Sequence, residues 1–184
     1  MRAGDHHQQL THILQRAYSG ELAAGFAYRG HWKSLKDSIE RERIRQIENE
    51  EWVHRERVGL MLDSLIAKPS KKLELKMRVI GLSVGAACHV IGWFLPMYFA
   101  GRLESGNVHE YESAAFHAGE LGLSEFQSDL LVMARVEREH ELFFMSVVSG
   151  HAWLPLMQSI FKWGSPPPVA PQEAEAKPSP RPIN

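Results

Sequence analysis

The chain contains a single cysteine, Cys88. That excludes an internal disulfide framework and any Cys-x-x-Cys metal ribbon, and it fits a reducing compartment. Charge of one sign is lacking too: Lys and Arg number 21, Asp and Glu 22, and the formal net charge is −1. No broad field therefore calls for nucleic acid as a partner. Strand signals are nearly absent. The opening residues, Met1-Arg2-Ala3-Gly4-Asp5-His6, put no apolar run behind a basic start, so no secretory signal is expected and the expected location is cytoplasmic.

What is present is helical. Of 184 residues, 44% are apolar and 23% charged, the balance of an ordinary globular domain. His7 to about Trp32 reads as a helix, with Leu10, Ile13, Ala17, Glu21, Ala24 and Tyr28 stepping by three and four. Asp37-Ser38-Ile39-Glu40 has the form of a capping box that opens a second helix. Pro69 ends it, and Ser70 can cap a third helix running to about Trp93. Pro96 permits a restart into a fourth, which runs to about Ala118. Ser124-Glu125-Phe126-Gln127 is a second capping box, opening a fifth helix to about Ser149. A short amphipathic piece is expected over Trp153 to Trp163. We expect one domain over 1–164 and a disordered proline-rich tail over 165–184, where almost no large apolar residue offsets the chain entropy.

From Val79 to Ala100 there is no Lys, Arg, Asp or Glu. Length alone would suit a spanning helix. Gly92 and Pro96 argue instead for two helices with a break between them, compatible with lying on a membrane surface.

The chemistry sits in the helix seams. The second helix steps Ile47, Glu51, His54, Val58, and the fifth steps Met133, Glu137, His140, Phe144. Residues so spaced share one face. A carboxylate and an imidazole thus point where leucines normally point. The first helix puts Glu21 in its seam, and the fourth puts Glu104 in its own. Burying one unpaired carboxylate costs on the order of several kcal/mol. Four would overwhelm a net stability of about 5–15 kcal/mol. Nearby cations such as Arg55, Arg57, Arg135 and Arg138 project from other faces, so metal is the economical counter-charge. One Glu from each of two helices and Glu-x-x-His from each of two others is the ligand set of ferritin-like di-iron bundles. The expected fold is therefore all-α: a ferritin-like up-down bundle of four core helices plus extra apolar helix segments. The expected ligands are Glu21, Glu51, His54, Glu104, Glu137 and His140, holding two iron ions, with manganese an acceptable substitute.

The same residues resemble a known family. Ser19-Gly20-Glu21-Leu22-Ala23-Ala24, Glu51-Trp52-Val53-His54, the glycine-spaced Gly81 to Ala86 stretch, Glu104 followed by His109-Glu110-Tyr111, and Glu137-Arg138-Glu139-His140 occur in the order found in the demethoxyubiquinone hydroxylases (the Coq7/CLK-1 group). The likeness spans about residues 8–148. It departs at Arg16-Ala17-Tyr18-Ser19, where that family has Asp-His before Ala-Gly-Glu, and at Glu110, where it has histidine beside the substrate.

The resemblance implies hydroxylation of a quinone ring by oxygen at the iron pair, with an electron donor the sequence does not identify. Glu51 and Glu137 would bridge, Glu21 and Glu104 would be terminal, and His54 and His140 would each bind one iron. Tyr111 is the candidate catalytic side chain, able to hydrogen-bond beside the metals, with core packing as its alternative role. The implied partners are an apolar quinone, O2 and the inner face of a membrane, and assembly as a homo-oligomer is compatible. Two other readings use the same ligands: a ferritin-like ferroxidase or peroxidase, and a non-catalytic metal-stabilised protein that binds a lipid or partner.

Overall fold

The computed structural model describes residues 2–164. The elements are α1 (Ala3–Ser34), α2 (Ser38–Ser64), α3 (Lys71–Ala87), α4 (Phe94–Glu120), α5 (Ser124–Val148) and α6 (Leu154–Phe161). The disorder expected for 165–184 lies outside the described residues.

Four long helices close a ring. α1 packs on α2 and α4, and α5 packs on α4 and meets α2. Neighbours in the ring run antiparallel. Tyr18 lies on Gly59 while Trp52 lies on Gly25, so α1 and α2 oppose each other. His54 faces Glu137 while Glu50 faces His140, so α2 and α5 do as well. Three-residue links, 35–37 and 121–123, suffice for the α1–α2 and α4–α5 hairpins.

α3 lies outside the ring, parallel to α1 and backbone-close to it. Gly81 meets Ala23, and Gly85 meets Gly30. A Cβ on Gly30 would overlap the backbone of Gly85, and one on Gly81 would overlap that of Ala23. The glycine spacing thus serves close helix approach. The charge-free stretch breaks as expected but earlier. α3 stops at Ala87 rather than Trp93, and Gly92 takes φ +83° in the turn before α4. Among the described residues no helix is long and apolar enough to cross a membrane.

The capping expectations need correction. Asp37 does cap α2, its carboxylate accepting from Ile39 N and Glu40 N. The reciprocal bond is missing, because Glu40 instead accepts from Trp93 Nε1 at 2.8 Å. α5 begins at Ser124 with no side-chain cap at all. Gln127, its would-be partner, lies against Gly119 across the hairpin.

Two apolar clusters fill the ring. One gathers Leu10, Leu14, Val58, Leu62, Leu130 and Met133. The other gathers Tyr28, Ile44, Ile47, Met97, Tyr98 and Phe144. Each buried Leu or Ile contributes about 1.5–3 kcal/mol. Every seam crosses from one cluster to the other, and at the crossing each carries its acidic residue: Glu21 between Ala17 and Ala24, Glu104 between Tyr98 and Tyr111. The carboxylates therefore form one polar layer between two greasy ones.

We predict that Gly30→Ala lowers unfolding stability by about 1–3 kcal/mol through overpacking against backbone. Gly20→Ala, with nothing within 4 Å of the added carbon, is expected to be neutral or stabilising. Urea denaturation midpoints compare the two. Equal effects would remove the close-approach account of α3.

Candidate metal centre

The six seam residues converge. Glu21, Glu51, His54 and Glu137 offer ligand atoms all within 4.8 Å of one another, and so do Glu51, Glu104, Glu137 and His140. Glu51 and Glu137 belong to both groups. Glu51, Glu104, Glu137 and His140 are wholly buried, and Glu21 and His54 nearly so.

Their inward atoms lack partners. Both oxygens of Glu51 and of Glu137, one oxygen of Glu21, and Nδ1 of His54 and of His140 are buried without a hydrogen bond. Proximity is not the difficulty: His54 Nδ1 lies 2.8 Å from Glu137 Oε1, and His140 Nδ1 lies 3.4 Å from both Glu51 Oε1 and Glu137 Oε2. The atoms crowd together without pointing proton to lone pair. Buried polar atoms are almost always satisfied in folded proteins, so such a cluster requires an explanation. Lone pairs from carboxylates and imidazoles aimed at shared points are the donor set of a first-row divalent metal. The residues fit a pair of metal ions, with the carboxylates of Glu51 and Glu137 placed to serve both.

The outward atoms are well held. Tyr111 hydroxyl donates to Glu21, and Tyr28 hydroxyl donates to Glu104. Asn107 Nδ2 donates to the other Glu104 oxygen at 2.9 Å. His140 Nε2 pairs with Glu50 Oε2 at 2.6 Å. Glu50 and Glu48, which crowd Glu51 in the sequence, thereby find separate roles. Glu48 accepts from Arg29, Trp32 and Trp52 in the α1–α2 interface and stays out of the cluster.

Tyr28, which the sequence presents only as a seam position, belongs to the centre as well, through its bond to Glu104. The signal was available. Glu21 to Tyr28 and Glu104 to Tyr111 are the same seven-residue step. Each tyrosine reaches across to the other helix's glutamate, so the centre has approximate two-fold symmetry. Tyr111 touches Glu21 rather than its own Glu104, and it also packs in the core among Leu10, Leu14 and Met133.

Protons occupy the metal-free cluster. Burial, then the charge of Glu51, pushes Glu21 well above the usual carboxylate range. Burial, then the charge of Glu137, does the same to Glu104. Burial opposes the charge on His140, but the carboxylates of Glu137, Glu50 and Glu51 around it outweigh burial and push the imidazole up to about 12.

Beside the centre lies an apolar cavity of about 510 Å³ between α1, α3 and α4. Ala23, Ile80, Val84, Leu95 and Phe99 form its greasy wall, and Tyr28 and His31 supply polar edges. Burial pulls His31 down to about 4, so the imidazole is neutral at pH 7. Glu110 does not line this cavity, contrary to the place expected for it. It sits in an open groove on another face, 3.6 Å from Arg16. His109 is exposed beside Glu112.

No family model matches the chain, and neither a curated protein nor a solved structure matches it. The resemblance to the hydroxylases accordingly rests on the motif residues alone.

Loading metal must displace the protons held by Glu21, Glu104 and His140. We predict proton release on anaerobic addition of ferrous ion, and affinity that falls from pH 8 to pH 6. Stability follows with a defined sign. The two raised glutamates stabilise the metal-free fold fully below their unfolded value of about 4.3, and His140 does so below about 6.5. These contributions are lost as pH rises through the raised folded values. Metal should therefore raise the melting temperature more at pH 8 than at pH 6. A metal-induced shift independent of pH would contradict this protonation scheme.

Proposed function

We propose that the chain is a ferritin-like di-iron monooxygenase that hydroxylates an apolar ring substrate, a quinone being the class the motif resemblance favours. The observation that carries this reading is the contact of Tyr28 with both places. Its ring lines the apolar cavity, and its hydroxyl holds the Glu104 carboxylate of the ligand cluster. A storage or purely structural metal site has no need of a greasy chamber at its edge. Ligand pockets are commonly of this kind, apolar with a few placed polar groups.

When bound, the iron pair would supply the activation of dioxygen. The remaining roles belong to the chain. Glu51 and Glu137, which belong to both ligand groups, would help hold both ions, while Glu21 and Glu104 would each help hold one. Tyr28 and Asn107 fix the Glu104 carboxylate from both of its oxygens, which sets its angle toward the cluster. The apolar layers above and below exclude water, which strengthens each charge interaction inside. In the cavity, neutral His31 adds a polar edge without placing charge in an apolar space.

The cavity's outer surroundings support delivery of an apolar molecule from a lipid surface. Val79, Leu82, Val90 and Ile91 are exposed on α3 and the turn after it. Basic residues Lys71, Lys72, Lys76 and Arg78 accompany them, as suits an anionic headgroup layer.

Anaerobically reconstituted protein is expected to hold two irons per chain, and Glu51→Ala or Glu137→Ala to abolish binding. Full loading in both variants would sink the ligand assignment. Reduced protein given oxygen and a quinone extract should yield a product one oxygen atom heavier. Leu95→Trp, which fills the cavity, should suppress that product while iron content stays unchanged. Rapid ferrous oxidation with no product would favour a ferroxidase instead. Flotation with anionic liposomes should be lost when Val79, Leu82 and Val90 are made polar.

A further inference from the structure

The approximate two-fold symmetry of the centre fails behind the imidazoles. Glu51 corresponds to Glu137 and His54 to His140. The residue before Glu51 is Glu50, whereas the residue before Glu137 is Val136. Glu50 reaches across to His140 Nε2 at 2.6 Å and is itself 3.3 Å from Arg43. Val136 has no polar atom to offer His54, and no described residue hydrogen-bonds His54 Nε2. One imidazole is therefore anchored from behind and the other is not.

A metal-bound imidazole is held by the group that takes its second N–H. That partner fixes the tautomer, orients the ring and raises its donor strength. For His140 the carboxylate of Glu50 holds the Nε2 proton, so Nδ1, which faces Glu51 and Glu137, is the nitrogen that would give up its proton to a metal. No described residue bonds His54 Nε2 to fix its ring from behind, so that ring would be ordered when metal arrives.

We infer that the two metal positions are unequal: the position formed by Glu51, Glu104, Glu137 and His140 fills first and holds its ion more tightly, and the Glu21, Glu51, His54 and Glu137 position is the labile one. This rests on the metal reading proposed above. The tight position is also the one whose Glu104 is joined through Tyr28 to the apolar cavity. Glu50 is thus a positioning residue that makes the two imidazoles unequal, and Val136 stands where its counterpart would be.

Anaerobic titration of the full chain with cobalt(II), followed by visible absorption, tests this. Wild type should bind in two steps, the first at least about tenfold tighter. Glu50→Gln should weaken the first step about 10–100-fold and leave the second unchanged. Its side chain is 41% exposed, so the fold should tolerate the change. Val136→Glu should tighten the second step toward the first.

A second measurement is independent of these variants. In cobalt-loaded wild type, proton NMR in water should show one slowly exchanging, contact-shifted imidazole N–H, from His140, and a fast-exchanging one from His54. Two steps of equal affinity, or equal weakening of both steps by Glu50→Gln, would overturn the inequality alone. Failure of cobalt to bind at any pH would overturn the metal centre along with it.

Discussion

Charge without counter-charge governs this molecule. Four carboxylates sit in a layer closed to water, and among the described residues no lysine or arginine enters that layer to meet them. Arginines near them in sequence are engaged elsewhere: Arg16 with Glu110, Arg55 with Glu74, Arg102 with the Phe161 carbonyl and Arg138 with Glu141. Protons on Glu21, Glu104 and His140 relieve the repulsion only in part, and each leaves lone pairs with nothing to accept. The apolar clusters on either side tolerate that layer because each seam devotes only one crossing point to it. The fold is a device for bringing four such crossings to the same height.

Much of this was legible in the residues. Glu51 and His54 stand between Ile47 and Val58, and Glu137 and His140 between Met133 and Phe144, so periodicity alone located the polar layer. Helix existence was legible for the same reason, since long seams are repeated signals. Ends were less so. α3 stops six residues short of Trp93, because the turn over 88–93 follows from Gly92 adopting positive φ, which the apolar composition there conceals. The capping boxes were half right. A box is a local pattern, and Glu40 found a better distant donor in Trp93 while Gln127 turned toward Gly119.

Tertiary partners were the least legible. Which carboxylate Tyr111 holds depends on how α4 is rotated against α1, and spacing along one helix does not contain that rotation. Glu50 and Glu48 are two residues apart in one acidic run, yet one faces His140 and the other faces Arg29 and two tryptophans. Their difference is a matter of helix azimuth, about 200° at 3.6 residues per turn. Glu110 was misplaced by the same route: its side chain leaves α4 toward Arg16, away from the cavity. The cavity depends on α3, whose glycines announced close packing without saying against which helix.

The crossed tyrosines carry a consequence for how the protein is made. Glu21 is oriented by Tyr111, and Glu104 by Tyr28 together with its own neighbour Asn107, so neither hairpin alone completes the setting of its carboxylate. The α1–α2 hairpin leaves the ribosome first, with Glu21, Glu51 and His54 but without Tyr111, Glu137 or His140. During synthesis it is an incomplete chelate. The ligand cluster is complete only when the second hairpin docks, so capture of metal at both positions would be tied to completion of the chain.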